Sequence, residues 1–364
     1  MGLRTAGPDE HFMGQALLLA AGVLGRTSPN PAVGCVIVNQ GRVVGRGATA
    51  AGGRPHAETQ ALQAAGRRAR GAVAYVTLEP CAHIGQTPPC AQALVDAGVG
   101  RVVIGCIDPY PAVRGRGVSR LRAAGIEVVV GVRQAQCQRL NEGFICRVSK
   151  GRPFGLLKLA LTLDGRIAVP GRRWLSGAPA RALVHRWRNE CDVVMVGAGT
   201  VIADNPRLTC RIKGGRDPVR VLLDAHLRVP ATARLFRQRS NAPSLLATLA
   251  AHTAAARERY RAEILALPAN RAGLVDLNAL MTQLAERGWS KVMIEGGAHL
   301  AAAALAAGVV DRVAFFLAPR IAGSGLPAIG AIESLPDGLA LRDLTATAIG
   351  QDWLLEGTPR RARR

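Results

Sequence analysis

Lysine is almost missing from this chain of 364 residues. Of its 47 basic residues only Lys150, Lys158, Lys213 and Lys291 are lysine, leaving 43 arginines against 25 acidic residues and a net charge of +22. A nucleic-acid surface gathers such charge on one face or helix. Here arginine is scattered through both halves, with short clusters at Arg67–Arg68, at Arg172–Arg173 and in the tail from Arg360. A composition rich in Ala, Gly and Arg has the pattern of a codon bias. It argues against nucleic acid as a partner and leaves anionic small molecules as the natural ones. Long apolar runs are also missing: none reaches the roughly 18 residues of a membrane span, so no membrane partner is expected. The apolar stretch from Ala16 to Gly25 follows Asp9 and Glu10 with no basic leader, which reads as a buried helix and not a signal peptide. The eight cysteines lie far apart in a long chain without a secretory signal. They are expected to be reduced thiols of a cytoplasmic protein, some of them metal ligands.

The chain exceeds a usual single core, so two domains are expected. In the first half, helical patterns at Phe12–Leu24, His56–Arg70, Pro89–Ala97 and Val118–Ala124 alternate with strand-like runs at Ala32–Val38, Ala74–Leu78, Arg101–Ile107 and Glu127–Val132. That alternation predicts an α/β sandwich. The rhythm breaks between Asn141 and Pro153. Strands resume at Leu156–Leu161, Asp192–Val196, Val219–Leu223, Lys291–Ile294 and Arg312–Leu317, with helices at Asp276–Arg287 and Ala298–Ala307. No internal repeat links the halves. The expected domains are 9–150 and 153–356, followed by a disordered Arg-rich tail, 357–364. Homo-oligomerisation is left open.

His56-Ala-Glu58 opens a predicted helix, Pro80-Cys81 follows a strand, and Cys90 enters the next helix behind Pro88-Pro89. One imidazole and two thiolates make the three-ligand, open tetrahedral site of catalytic zinc. Zinc lowers the pKa of a bound water to about 7. Glu58, two residues past the histidine, is placed to shuttle the proton without ligating. This is the H-x-E…P-C signature of zinc nucleobase deaminases, except that eight residues separate the cysteines where two are usual. His83 lies between them and would close a four-ligand structural site if it bound. In the second half, Met293-Ile-Glu-Gly-Gly-Ala298 runs from strand through a Gly-Gly turn into a helix whose N-terminus can approach a phosphate. It lacks the G-x-G-x-x-G spacing of a Rossmann domain.

The segments Thr27-Ser-Pro-Asn-Pro-Ala-Val-Gly-Cys-Val-Ile-Val38, Pro80-Cys-Ala-His-Ile-Gly-Gln-Thr-Pro-Pro-Cys90 and Lys158-Leu-Ala-Leu-Thr-Leu-Asp-Gly-Arg166 closely resemble the bifunctional riboflavin-biosynthesis deaminase–reductase family. The resemblance runs from about Asp9 to about Glu356. It implies an α/β fold of a cytidine-deaminase-like α/β/α sandwich followed by a dihydrofolate-reductase-like domain. It further implies zinc and NADPH as cofactors and a phosphorylated pyrimidine as substrate, deaminated first and then reduced in its ribosyl side chain. By this resemblance His56, Cys81 and Cys90 hold zinc, Glu58 is catalytic, and Asn30 and His83 contact substrate. Ala160, Trp174, Thr200, Asp204, Ala225 and the run Gly297, Ala298, His299, Leu300, Ala301, Ala302, Ala303 would contact the cofactor. Arg172, Arg188, Leu208, Arg211 and Glu295 would contact the reductase substrate, the arginines through paired hydrogen bonds to phosphate. Two positions depart from the pattern: Gln86 where a basic residue is common, and Ala225 where serine is. Lys158 and Asp164 carry no assigned role. The rivals are an RNA or free-nucleobase deaminase with an unrelated second domain, and a nucleic-acid-binding protein with structural zinc.

Overall fold

The computed structural model describes residues 7–82, 88–171, 174–332 and 338–360. The chain divides into two compact units, 1–151 and 152–364. In the first unit α1 (Pro8–Ala21) precedes the hairpin of β1 (Gly34–Asn39) and β2 (Arg42–Ala48). Then follow α2 (Ala57–Ala65), β3 (Val73–Val76), α3 (Cys90–Asp96), β4 (Arg101–Ile104), α4 (Arg116–Ala123), β5 (Glu127–Val130), α5 (Gln134–Leu140) and α6 (Glu142–Lys150). The sheet order is β2-β1-β3-β4-β5, with β1 antiparallel to both neighbours and β3, β4 and β5 parallel.

Two glycines show how the layers form. Gly34 pairs with Ala48, so Gly34 and Gly47 face opposite sides of the sheet. A Cβ on Gly34 would lie 1.9 Å from the Ala16 carbonyl of α1, and one on Gly47 would lie 2.1 Å from the Ala57 carbonyl of α2. The two helices therefore cover opposite faces, and both reach strand backbone where a side chain is missing. The result is an α/β/α sandwich around Cys35, Val36, Ile37, Ala74, Val76 and Val102–Ile104. The expected break from Asn141 to Pro153 is corrected: α6 occupies most of it, and only Gly151, in a left-handed cap, through Pro153 interrupts the chain.

The second unit opens with β6 (Phe154–Thr162), β7 (Arg166–Ala168), α7 (Ala178–Glu190), β8 (Val193–Gly197), α8 (Ala198–Asp204), β9 (Val219–Leu223), α9 (Arg234–Arg237), β10 (Ser244–Leu249) and α10 (Thr253–Arg259). It continues through β11 (Glu263–Leu267), α11 (Leu277–Glu286), β12 (Lys291–Ile294), α12 (Ala298–Ala307), β13 (Arg312–Ala318), β14 (Leu326–Pro327), β15 (Leu341–Ile349) and β16 (Asp352–Pro359). Strands β11-β10-β9-β8-β12-β6-β13 lie parallel in that order, and β16 and β15 close the sheet as an antiparallel pair. The late strand β12 slots between β8 and β6. In such sheets the crevice outside the carboxyl ends of the strands, where their order reverses, is the ligand position. Strand β16 carries Gly357, Thr358 and Pro359 in register with β13 and β15, which corrects the expectation that order stops at Glu356; residues 361–364 lie outside the described residues. All eight cysteines are free, seven of them buried and Cys81 partly exposed. No helix among the described residues is long and apolar enough to cross a membrane.

Candidate functional site

His56 caps the N-terminus of α2 in extended conformation, and Glu58 follows in the first helical turn, buried at 4% exposure. Cys81 lies on the loop beyond β3, and Cys90 is the first residue of α3. His56 Nδ1 is 3.2 Å from Cys90 Sγ and 3.7 Å from Cys81 Sγ. Bonds of about 2.3 Å to sulfur and about 2.0 Å to nitrogen at tetrahedral angles put N and S about 3.5 Å apart. The donor set therefore fits one zinc ion. Among the described residues the ligand group has three members, with all ligand atoms within 4.8 Å of one another, the number a catalytic zinc site takes from its protein. The Cys90 backbone N–H also donates to Cys81 Sγ at 3.3 Å. Donation from the Cys90 thiol and from His56 overcomes burial and lowers the Cys81 thiol to about 4, while the same bond pushes Cys90 up. Burial raises the Glu58 carboxyl to about 7.

The Asn30 amide packs against the Cα of Gly53, three residues ahead of His56. Its turn is closed by donation from the Asn30 N–H to the Thr27 carbonyl (2.9 Å) and from the Thr27 hydroxyl to the Asn30 carbonyl (3.0 Å). Asn141 holds the next step, accepting from the Ala32 N–H (3.0 Å) and donating to its carbonyl (2.9 Å). The Asn30 loop is thus set on the segment leading to the histidine ligand. His83 and Gln86 lie outside the described residues.

In the second unit Glu295 follows β12 and is gripped from two sides. Arg188 of α7 donates Nε to Oε1 (2.7 Å) and Nη2 to Oε2 (2.9 Å), and Lys158 of β6 lies 3.5 Å from Oε2. Burial would raise this carboxyl, but Arg188 and then Lys158 outweigh it and hold it at about 2. The partner needed by a buried carboxylate is therefore present, and Lys158 acquires a place in the site that sequence did not supply. The expected paired grip of Arg188 on a phosphate is corrected: its paired edge belongs to Glu295, and Nη1 donates to the Thr209 carbonyl (3.1 Å). Asn205, Leu208 and Arg211 hold left-handed backbone with φ of 40°, 58° and 59°. Such strain clusters at ligand clamps. Leu208 is buried and Arg211 exposed.

The cofactor residues separate into two groups. Gly297 caps α12 beside Thr200 of α8, whose hydroxyl would sit 3.4 Å from a Cβ at Gly297. Ala298, Leu300, Ala301 and Ala302 are buried, Ala303 is partly buried, and His299 faces solvent. Leu300 and Ala301 belong to the hydrophobic core, so the expected cradle reduces to the backbone at the start of the helix. Trp174 is 53% exposed with the Arg181 guanidinium 5.2 Å from its ring centre, which removes it from the core. Ala160 is partly buried in β6, Asp204 ends α8 in solvent, and the Ala225 carbonyl already accepts from His252 Nδ1 at 2.6 Å. Arg172 lies outside the described residues. Asp164, assigned nothing from sequence, accepts from the Thr162 hydroxyl and from the Ala322 and Gly323 N–H groups, pinning that loop to the end of β6.

Residues 7–106 match the family model of the cytidine and deoxycytidylate deaminase zinc-binding region, and residues 153–355 match that of the RibD C-terminal domain. Among curated relatives, the riboflavin biosynthesis protein RibD of Synechocystis is 44% identical over 359 residues, covering 96% of each chain. That of Aquifex aeolicus is 38% identical, covering 95% of this chain and 97% of its own. Among solved structures, RibD of Acinetobacter baumannii superposes with a TM-score of 0.84 at 37% identity, covering 97% of this chain and 99% of that one. A diaminohydroxyphosphoribosylaminopyrimidine deaminase/5-amino-6-(5-phosphoribosylamino)uracil reductase from Thermotoga maritima superposes with a TM-score of 0.81 at 36% identity, with the same coverage.

Proposed function

We propose, since the chain belongs to the RibD family, that it carries out two successive steps of riboflavin biosynthesis. Its first unit is a hydrolytic deaminase and its second an oxidoreductase. The first step hydrolyses the 2-amino group of 2,5-diamino-6-(5-phosphoribosylamino)pyrimidin-4-one, releasing ammonia. The second reduces the ribosyl side chain of the resulting 5-amino-6-(5-phosphoribosylamino)uracil to ribityl with NADPH. The observation that carries this reading is the convergence of His56, Cys81 and Cys90 beside the buried Glu58.

His56, Cys81 and Cys90 would hold the zinc ion. Bound there, zinc supplies Lewis acidity that makes water a nucleophile near neutral pH. Burial of Glu58 favours its holding a proton. Glu58 can take a proton from the attacking water and return one to the departing amine. Asn30 sits at the segment before His56, where its amide can orient the pyrimidine ring. In the second unit NADPH supplies the hydride. The free N–H groups at the start of α12, with Thr200 beside Gly297, suit a cofactor phosphate. Lys158 and Arg188 carry two positive charges against the one carboxylate of Glu295, leaving net positive charge where a sugar phosphate is to be held. Arg211, exposed on the strained loop, is the more open guanidinium for that anion.

The test is ammonia release and NADPH oxidation by the zinc-loaded protein given the diaminopyrimidine ribosyl phosphate. Release followed by NADPH consumption, both lost in Glu58→Gln, is the expected result. Neither signal from a folded, zinc-containing protein would overturn the reading.

A further inference from the structure

Glu79 takes no part in the reaction as derived so far, yet its carboxylate accepts four backbone hydrogen bonds close to the metal ligands. It is 3% exposed and lies two residues before Cys81. Its Oε1 accepts from the N–H groups of Gly117 (2.9 Å) and Val118 (3.2 Å), and its Oε2 from those of Gly115 (3.0 Å) and Asp108 (3.3 Å). Three of these donors belong to the N-terminus of α4, which has no side-chain cap of its own. A carboxylate here answers the free N–H groups and the positive end of the helix dipole together. The backbone approaches as closely as the side chain: a Cβ on Gly117 would lie 2.1 Å from the Pro80 carbonyl. On the other side, Cys81 is sewn to α3, its carbonyl accepting from the Ala91 N–H (3.1 Å) and its sulfur from the Cys90 N–H (3.3 Å). The segment Glu79–Cys81 is thus stretched between the starts of two helices, one carrying the second sulfur ligand.

We propose that Glu79 is a positioning residue for the deaminase metal site. By seizing the N-terminus of α4 it fixes Pro80 and, through it, the place of the Cys81 thiolate relative to Cys90 and His56. The inference rests on the reading of those three residues as zinc ligands. Glutamine at position 79 keeps the length but presents an NH2 group to two of the four N–H donors, so the anchor loosens without a cavity. Groups that orient ligands from behind are worth about 10- to 100-fold in metal affinity.

The experiment uses the full chain loaded with zinc or with cobalt(II), whose visible d–d bands report ligand geometry. For Glu79→Gln, zinc transfer to a chromophoric chelator should be about 10- to 100-fold faster than wild type, with shifted cobalt bands. Gly117→Ala, whose Cβ would meet the Pro80 carbonyl at 2.1 Å and Glu79 Oε1 at 3.1 Å, strains the same junction from the helix side without changing the charge; it should shift the same bands, and it decides the matter if Glu79→Gln does not fold. Wild-type bands and release rates in the folded variants, even with a lowered melting temperature, would reduce Glu79 to a helix cap and overturn the inference. A wild-type protein that takes up neither metal would instead overturn the zinc reading itself.

Discussion

At Glu295 burial and charge pull in opposite directions, and the outcome can be read as a dependence of stability on pH. The carboxyl falls from an ordinary 4.5 to about 2 under Arg188 and Lys158. A depressed folded-state value stabilises the fold above the unfolded value, and that contribution is lost as the pH drops through the folded one. A shift of this size corresponds to about 3 kcal/mol. Glu295→Gln should therefore lower stability near neutrality by about that amount and flatten the acid limb between about pH 5 and pH 2; urea unfolding at stepped pH reads both. A slope like that of wild type would show the ion pairs to be weak. Glu58 makes a different kind of prediction, because in the proposed reaction it carries protons and does not ligate. Glu58→Gln should keep its zinc by metal analysis while ammonia release falls about 10²- to 10⁴-fold.

The layer contacts that carry His56 and Glu58 depend on α2 lying directly on β2. In Gly47→Ala the new Cβ meets the Ala57 carbonyl, and overpacking of this kind costs about 1–3 kcal/mol. The helix should move outward with the histidine, so both thermal stability and zinc retention should fall; Leu18→Ala, at a 75% exposed position on α1, should change neither. Elements of this sort divide sharply in how far sequence shows them. The strands β9 and β12 and the helix α12 begin and end at the expected residues, because central parallel strands and a buried Ala-rich helix are apolar runs bounded by turns. The predicted start of α11 at Asp276 is its cap, accepting from the Asn278 and Ala279 N–H groups. Strand β15 escaped notice because it is exposed along almost its whole length and shows no alternation. Strand β2 hides for another reason, since its core-facing positions include the bare Gly45 and Gly47. The cluster of His56, Cys81 and Cys90 was legible because an imidazole and two thiolates at strand–helix junctions, with a carboxylate two residues past the histidine, have few other uses together. Glu79 and Lys158 were not, because their partners lie 29 to 39 and 137 residues further along the chain.

Over the whole molecule, the two units each enclose a hydrophobic core of their own. Fragments 1–151 and 152–364 should therefore each fold when produced alone. The first should release ammonia from the diaminopyrimidine, and the second should oxidise NADPH given the deaminated product. A fragment that aggregates, or is folded but inactive, would show that one unit needs the other. The distribution of thiols has a practical corollary for the intact chain. Seven sulfurs are shut away and only Cys81 meets solvent, and oxidation follows exposure and thiolate character. A preparation stripped of its metal, left in air and then resupplied with zinc should have aged unevenly, failing to recover ammonia release while keeping NADPH oxidation. Shelf life would turn a two-step catalyst into a one-step catalyst before any loss of the fold.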